Sequence, residues 1–387
     1  MKKVIIVLVA VVAAVCCSLP LSVTAFAAEQ PQYRSLYLMD YDTGTVITEE
    51  NADEKYPIAS MVKIMTLAIA FDEIDNGRLT LDEKICISDY AAGMGGSQMF
   101  LDAGEEYTVT DLLKGIIVCS ANDAATAIGE RISGDIGSFV NKMNAYAKEI
   151  GMNNTLFCNA TGLPGSGEQY STAKDVTTMM RKVLSHPKYY EYSRIWMENY
   201  EHPDGRVTEI VNTNKLIRIM NECDGGKTGF TNEAGFCLSA TAKSGDTRVI
   251  ATLLGGTDSK ARFRKVSELI KYAFANYETK VFVRKNEVLP CELGSVKQAK
   301  NTNVEVYCDA DLKCFTPKSE NAFTPEVTIY DGLKAPLAAG SKIGEIALKD
   351  GNGNVVATAN LITKSDIEKL SFADYLKKLI RNRFFGK

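Results

Sequence analysis

The hydrophobic pattern changes period three times between Arg34 and Tyr277, and that order limits the fold more than anything in the composition. Arg34 to Thr48 alternates as a hairpin, with Asp42-Thr43-Gly44 as its turn. Met61 to Asp75 is strongly apolar at helical spacing, opened just after Pro57 and closed by Asn76-Gly77. Thr110 is expected to cap a second helix, whose positive end suits Asp111 and whose buried stripe is Leu112, Leu113, Ile116 and Ile117. Further helices are expected over 136–150, ended by Gly151, and from Ser171-Thr172 through Val183. The period returns to two at Gly235–Ala242 and Thr247–Leu254, strands joined by Lys243-Ser244-Gly245-Asp246. Asp258 to Tyr277 is a long amphipathic helix. Strands, helices, strands and a helix in that order predict an α+β fold, an antiparallel sheet packed by helices.

After Tyr277 the helical spacing stops. Val281–Val283, Val304–Tyr307, Val327–Tyr330, Ile343–Leu348 and Val355–Ile362 are short strand-like runs, with Asp350–Asn354 as a turn, and predict a small all-β domain. The ends differ again. Lys2 and Lys3, the apolar run Val4–Val15, Pro20 and Ala25-Phe26-Ala27 have the three parts of a secretory signal peptide over 1–27. An uncleaved anchor is the alternative, since the run extended through Leu21 approaches spanning length. Cys16 and Cys17 lie within it and lack the preceding residues that lipid attachment needs. The expected division is therefore 28–277, 278–362 and a tail over 363–387. In that tail Phe372, Ala373, Leu376, Leu379 and Ile380 fall at helical spacing among Lys377, Lys378, Arg381 and Arg383, which suits a helix lying on an anionic membrane surface. An ordinary helix packed on the β domain is the plainer reading.

A net charge of −4 argues against a nucleic-acid partner. Only two histidines, His186 and His202, each before a proline, leave metal and His-relay chemistry poorly supplied; both are expected in loops, and no metal or cofactor is expected. The cysteines outside the signal show no disulfide framework and read as small buried side chains, with Cys308 and Cys314 as the pair to watch.

Ser60-Met61-Val62-Lys63 opens the first apolar helix, where residues three apart share a face and the Ser60 hydroxyl can meet the Lys63 amine. A serine hydroxyl needs a base to become a nucleophile, and lysine serves only when neutral, which burial and nearby positive charge favour. Ser171–Lys174 and Ser185–Lys188 repeat the spacing, but the first looks like a helix cap and the second a turn. Ser120-Ala121-Asn122 places polar residues in an otherwise apolar helical stretch, where burial without partners is costly. Ser319–Asn321 sits among charged loop residues and carries no such tension. Lys227-Thr228-Gly229 follows Asp224-Gly225-Gly226 and runs towards the Gly235 strand, whereas Lys243-Ser244-Gly245 falls at a hairpin tip.

Ser-x-x-Lys, Ser-x-Asn and Lys-Thr-Gly in that order form the signature of penicillin-binding proteins and serine β-lactamases. With Tyr56–Ser60, Asn122–Ala124, Phe157–Leu163 and Asp224–Phe236, the chain resembles the low-molecular-mass D-alanyl-D-alanine carboxypeptidases over nearly its whole length. The resemblance implies that fold, a β-rich C-terminal domain suggested by Ala335-Pro336 and Gly340–Gly344, and an amphipathic anchor. It implies removal of the terminal D-alanine of a peptidoglycan stem peptide through an acyl-enzyme, at the outer face of the cytoplasmic membrane, and acylation by β-lactams. Ser60 is then the nucleophile and Lys63 its base. Ser120 and Asn122 shuttle the proton and hold the substrate amide. Lys227 supplies charge, Thr228 of Lys227-Thr228-Gly229 binds the carboxylate, and the Ser60 and Phe230 N–H groups form the oxyanion hole. Some relatives carry a carboxylate-binding arginine where this chain has Thr213, with Lys215 and Arg218 nearby. A β-lactamase would need a deacylating glutamate; Glu149-Ile150-Gly151-Met152-Asn153 has that look, yet runs directly into a carboxypeptidase-like segment, and a lactamase has no place for the extra β domain. D,D-endopeptidase action on cross-links stays open as the alternative reaction, and a non-catalytic binding protein would have lost a motif.

Overall fold

The computed structural model describes residues 32–165, 167–289, 296–300 and 305–385. The expected signal peptide, with Cys16 and Cys17, and also Cys291, lie outside the described residues. Strands β1 (Ser35–Asp40), β2 (Val46–Glu50), β3 (Cys223–Thr231), β4 (Gly235–Ser244) and β5 (Thr247–Gly256) form one antiparallel sheet in the order β2-β1-β5-β4-β3. Successive side chains of a strand point to opposite faces, and here both faces are covered. From β1, Tyr37 and Met39 enter one core while Leu36 and Leu38 enter the other.

The first core lies under helices α1 (Lys63–Asp75), α2 (Val109–Val118), α3 (Asn122–Ser133), α4 (Ile136–Glu149) and α5 (Ala173–Val183). The second is closed by α6 (Ser259–Asn276) through Phe263, Val266 and Ile270. Helix α1 is buried continuously from Lys63 to Phe71, as an all-round apolar sequence requires. These are the α+β layers the hydrophobic periods predict, but several local expectations are corrected. Thr108, not Thr110, caps α2, its Oγ1 accepting from the Asp111 N–H, while Thr110 donates to the Leu81 carbonyl. The apolar run through Ser120 is not one helix. It breaks there, with Ser120 at φ +65° between α2 and α3. The glycine-rich run at 224–226 is part of β3, a strand the hydrophobic periods did not mark. Two small hairpins, Lys84–Cys86 with Glu106–Thr108 and Met197–Glu201 with Val207–Val211, were not anticipated.

His186 and His202 lie in connecting segments, as expected, and both are buried. His186 Nδ1 is 2.7 Å from Asp75 Oδ2 and its ring stacks on Phe71; His202 bonds Tyr107 and Thr208.

Beyond α6, Tyr277–Val283 pairs with Leu312–Pro317, and five strands follow in the spatial order Val288–Leu289, Val306–Cys308, Val355–Thr363, Lys342–Lys349, Thr324–Ile329. They enclose a third core containing Val306, Ile343, Ile346 and Leu361. Cys308 and Cys314 are members of that core with free thiols on differently paired strands, so the suggested disulfide is absent. Helix α7 (Phe372–Phe385) ends the described chain, with Phe372 83% exposed and Tyr375, Leu376 and Ile380 also outward.

Candidate active site

Three segments meet at one edge of the sheet: the turn before α1, the break between α2 and α3, and β3, which is the edge strand. Ser60 lies in a short 3₁₀ turn, Ala59–Val62, that leads into α1. Ala59 holds φ +48°, a conformation L residues rarely adopt, so the nucleophile candidate is delivered by strained backbone. Gly229 of β3 runs against this turn; a Cβ there would lie 2.6 Å from the Ile58 carbonyl oxygen. The sequence needs glycine at that point for packing, not for bending.

Lys63 Nζ is fully buried, 3.0 Å from Ser60 Oγ, and donates to the Thr161 carbonyl at 2.7 Å. Burial first, and the Lys227 charge second, hold its ammonium well below the ordinary lysine range. Lys227, also buried, donates to Ser120 Oγ at 2.6 Å and to the Thr228 carbonyl at 3.1 Å. Burial, with the Arg262 charge adding, lowers it to about 7. Ser120 reaches this lysine because of its left-handed φ, which turns the chain out of α2 before α3 begins. Asn122 opens α3; its N–H donates to the Ser97 carbonyl at 2.7 Å and its Nδ2 to the Gly95 carbonyl at 2.6 Å. Its buried Oδ1 has no partner among the described residues, an unusual state for a buried acceptor. Asp123 beneath it accepts from the N–H groups of Met99, Leu101 and Ala124 and so fixes the 95–101 loop over the site.

Thr228 is buried and Gly229 follows it on β3, while Phe230 is 50% exposed and stacks on Phe236 with ring centroids 4.3 Å apart. All eight residues singled out from the motifs therefore fall on these three converging segments. The look-alikes do not. Ser171 is buried against Thr155 Oγ1, Ser185 bonds the Lys182 carbonyl, and Ser244 faces Thr247 across the hairpin tip.

Arg262 is the residue that sequence reading missed. It reaches from α6 to donate to the carbonyls of Gly229 and Cys237, each at 3.0 Å, and burial lowers it to about 10. The available signal was a cation four residues before Val266, on the apolar stripe of an amphipathic helix. Thr213 donates its N–H to the Val118 carbonyl beside the α2 terminus, whereas Lys215 is exposed and Arg218 lies over the Trp196 ring at 5.5 Å. Glu149 is an exposed last residue of α4. Beside Ala59 a cavity of about 330 Å³ continues past the end of β3, walled by Ile58, Leu163, Tyr170 and Thr231.

Comparison with known proteins agrees with this geometry. A family model described as D-alanyl-D-alanine carboxypeptidase matches residues 23–258, and one described as penicillin-binding protein 5, C-terminal domain, matches 277–369. The D-alanyl-D-alanine carboxypeptidase DacF of Bacillus subtilis is 37% identical over 347 residues, covering 89% of this chain and 88% of that protein. Penicillin binding protein 5 from Haemophilus influenzae has a TM-score of 0.69 at 29% identity, covering 88% of this chain and 99% of its own. Penicillin-binding protein D2 from Listeria monocytogenes, in its ampicillin-bound form, has a TM-score of 0.57 at 32% identity over 63% of this chain and 98% of its own.

Proposed function

This chain belongs to the D-alanyl-D-alanine carboxypeptidase family and is a serine peptidase of the penicillin-binding kind, and we propose how its residues divide that work. Ser60 attacks the carbonyl between the two terminal D-alanines of a stem peptide, and Lys63 takes its proton. The observation that carries this reading is a fully buried lysine 3.0 Å from Ser60 Oγ, with its ammonium form disfavoured by burial. Ser120, bonded to Lys227, passes the proton to the leaving amine, and the unpartnered Oδ1 of Asn122 accepts from the substrate amide. Thr228 and Lys227 receive the terminal carboxylate. The N–H groups of Ser60 and Phe230 stabilise the oxyanion, an arrangement typically worth about 3 kcal/mol per donor. Arg262, by binding the Gly229 carbonyl, fixes the Gly229–Phe230 peptide, which carries the Phe230 N–H, and adds positive charge behind the carboxylate position.

The reaction is tested directly with a soluble peptide ending in D-alanyl-D-alanine. Release of its last D-alanine is expected to outpace cleavage of a cross-linked dimer, and benzylpenicillin is expected to remain as a long-lived adduct. Faster cutting of the dimer would replace the carboxypeptidase assignment by endopeptidase, and rapid penicillin turnover by lactamase. The exposed Glu149 is a poor support for the latter, since a deacylating carboxylate must sit beside the ester.

The same reading divides the chain into a signal peptide over 1–27, a catalytic domain over 28–277, a β domain over 278–362 and a tail over 363–387, exported and acting in the cell-wall space. The outward Phe372, Tyr375, Leu376 and Ile380 of α7 support a tail that lies on the membrane surface. Truncation before Ser371, which spares the buried Ile367, is expected to release the mature protein into the soluble fraction with D-alanine release unchanged. Retention of the truncated protein in the membrane fraction would make the N-terminal segment the anchor. Loss of activity would mean that the tail supports the folded body.

A further inference from the structure

Residues 157–163 form neither helix nor strand, and three side-chain amides satisfy their backbone instead. Asn144 accepts from the Phe157 N–H and donates to the Phe157 carbonyl, both at 2.9 Å. Gln169 Oε1 accepts from the N–H groups of Cys158 at 3.1 Å and Asn159 at 3.3 Å. Asn159 then closes the turn. Its Oδ1 accepts from the Thr161 N–H at 3.1 Å, the Gly162 N–H at 2.7 Å and the Thr161 hydroxyl at 3.3 Å, and its Nδ2 donates to the Leu163 carbonyl at 2.9 Å.

This turn abuts the reacting centre at two points. The Thr161 carbonyl accepts from Lys63 Nζ at 2.7 Å. Gly162, at φ +83°, presses on the peptide before Ser60 so closely that a Cβ would lie 2.0 Å from the Ala59 carbonyl oxygen. Thr66 Oγ1 donates to the Ala160 carbonyl at 3.1 Å and pins the turn to α1. A neutral amine has two N–H bonds and one lone pair, and free rotation about Cε–Nζ would leave that lone pair unaimed. With one N–H tied to a fixed carbonyl, the lone pair can be directed at Ser60 Oγ.

We propose that Asn159 is a positioning residue for acylation: by fixing the Thr161 peptide it aims the Lys63 amine at the Ser60 hydroxyl. The inference rests on Lys63 acting as the base. The groups facing Lys63 are Lys227 of β3, whose charge disfavours the ammonium, and Cys119 at the end of α2 and Asp123 of α3, which favour it. None of them is touched by changing Asn159.

The test is the second-order rate of acylation by a fluorescent penicillin, measured across its acid limb for Asn159→Ala and Asn159→Asp. Asn159→Ala frees the carbonyl, so the plateau should fall about 10- to 100-fold through misorientation alone. Its limb should move to lower pH, because the ammonium form loses its acceptor. Asn159→Asp keeps acceptors for the Thr161 and Gly162 N–H groups, so the plateau should recover at least in part. Its added negative charge should move the limb to higher pH. Opposite limb shifts are the signature that support of the fold alone cannot give. A wild-type plateau in Asn159→Ala would overturn the proposal, as would an unmoved limb with fewer reactive sites per chain. Should Asn159→Ala not fold, Asn159→Asp decides by the direction of its limb. Failure of the base reading itself shows separately, as near-wild-type acylation in Lys63→Arg.

Discussion

Ser60→Ala is expected to abolish the covalent adduct that the wild type gains from benzylpenicillin, read as intact mass, and to stop D-alanine release. Removing the nucleophile of a serine peptidase typically lowers turnover by roughly a millionfold. The fold should survive. Among the described residues Ser60 Oγ hydrogen-bonds with Lys63 Nζ alone, and that amine keeps the Thr161 carbonyl when the hydroxyl is gone. A neutral hydrogen bond of this sort contributes about 1 kcal/mol, so thermal unfolding should shift by only a few degrees. The adduct cannot move to the other Ser-x-x-Lys serines without contradicting their surroundings. Ser171 is buried beside Thr155 and Asp175, and its nominal partner Lys174 points outward to Asp53. Ser185 bonds a backbone carbonyl, and Lys188 pairs with Glu191. An adduct mapped to either serine would overturn the assignment of Ser60.

What the chain shows before folding depends on how locally each feature is determined. Ser60 and Lys63 were legible because helical spacing brings them together and the apolar run of α1 buries the amine of Lys63. The layer order was legible because hydrophobic period is a local property. Ser120 was recognised as a motif residue, but its conformation was not legible: φ +65° in a non-glycine residue is imposed by the Lys227 contact and the packing of α3, not by neighbours in sequence. The β3 strand was hidden for the opposite reason. Asp224-Gly225-Gly226 has turn composition, yet Gly225 is there for space, since a Cβ would lie 2.8 Å from the Tyr189 ring, and Gly226 for space and for its φ of +142°, a Cβ there lying 2.5 Å from the Ser239 carbonyl oxygen. Cys308 and Cys314 misled because six-residue spacing says nothing about which strands carry them. His186 and His202 lie in loops, as a following proline suggests, but a proline fixes backbone and not burial; each ring found aromatic neighbours and a hydrogen bond inside. Arg262 acts through carbonyls distant in sequence and Asn159 through a local turn whose meeting with Lys63 is set only by the fold, so the sequence hints at a buried cation without naming the partners of either.

Lys63→Arg is expected to lower the acylation rate by at least about a thousandfold while keeping the positive charge, because arginine cannot lose its proton at accessible pH. The direction of the wild-type pH profile follows from the same group. Lys63 takes the Ser60 proton only when neutral, and burial, with the Lys227 charge, disfavours its ammonium and so favours the neutral amine. Acylation should therefore fall as pH drops and Lys63 gains its proton, and Lys227, lowered to about 7, adds to the repulsion as it gains its own. In Lys63→Arg that limb should vanish along with most of the rate, leaving a slow, nearly pH-independent acylation. A guanidinium is also larger than the slot it would fill, and overpacking a tight core costs about 1–3 kcal/mol. Lys63→Met, close in length and uncharged, separates the two effects. It should acylate as poorly as the arginine variant and lose no more than about 1–3 kcal/mol of stability, since the burial cost of the amine disappears while the Thr161 carbonyl loses its donor. Near-wild-type acylation in both variants, with the acid limb intact, would remove Lys63 from its role and leave Lys227, acting through Ser120, as the base.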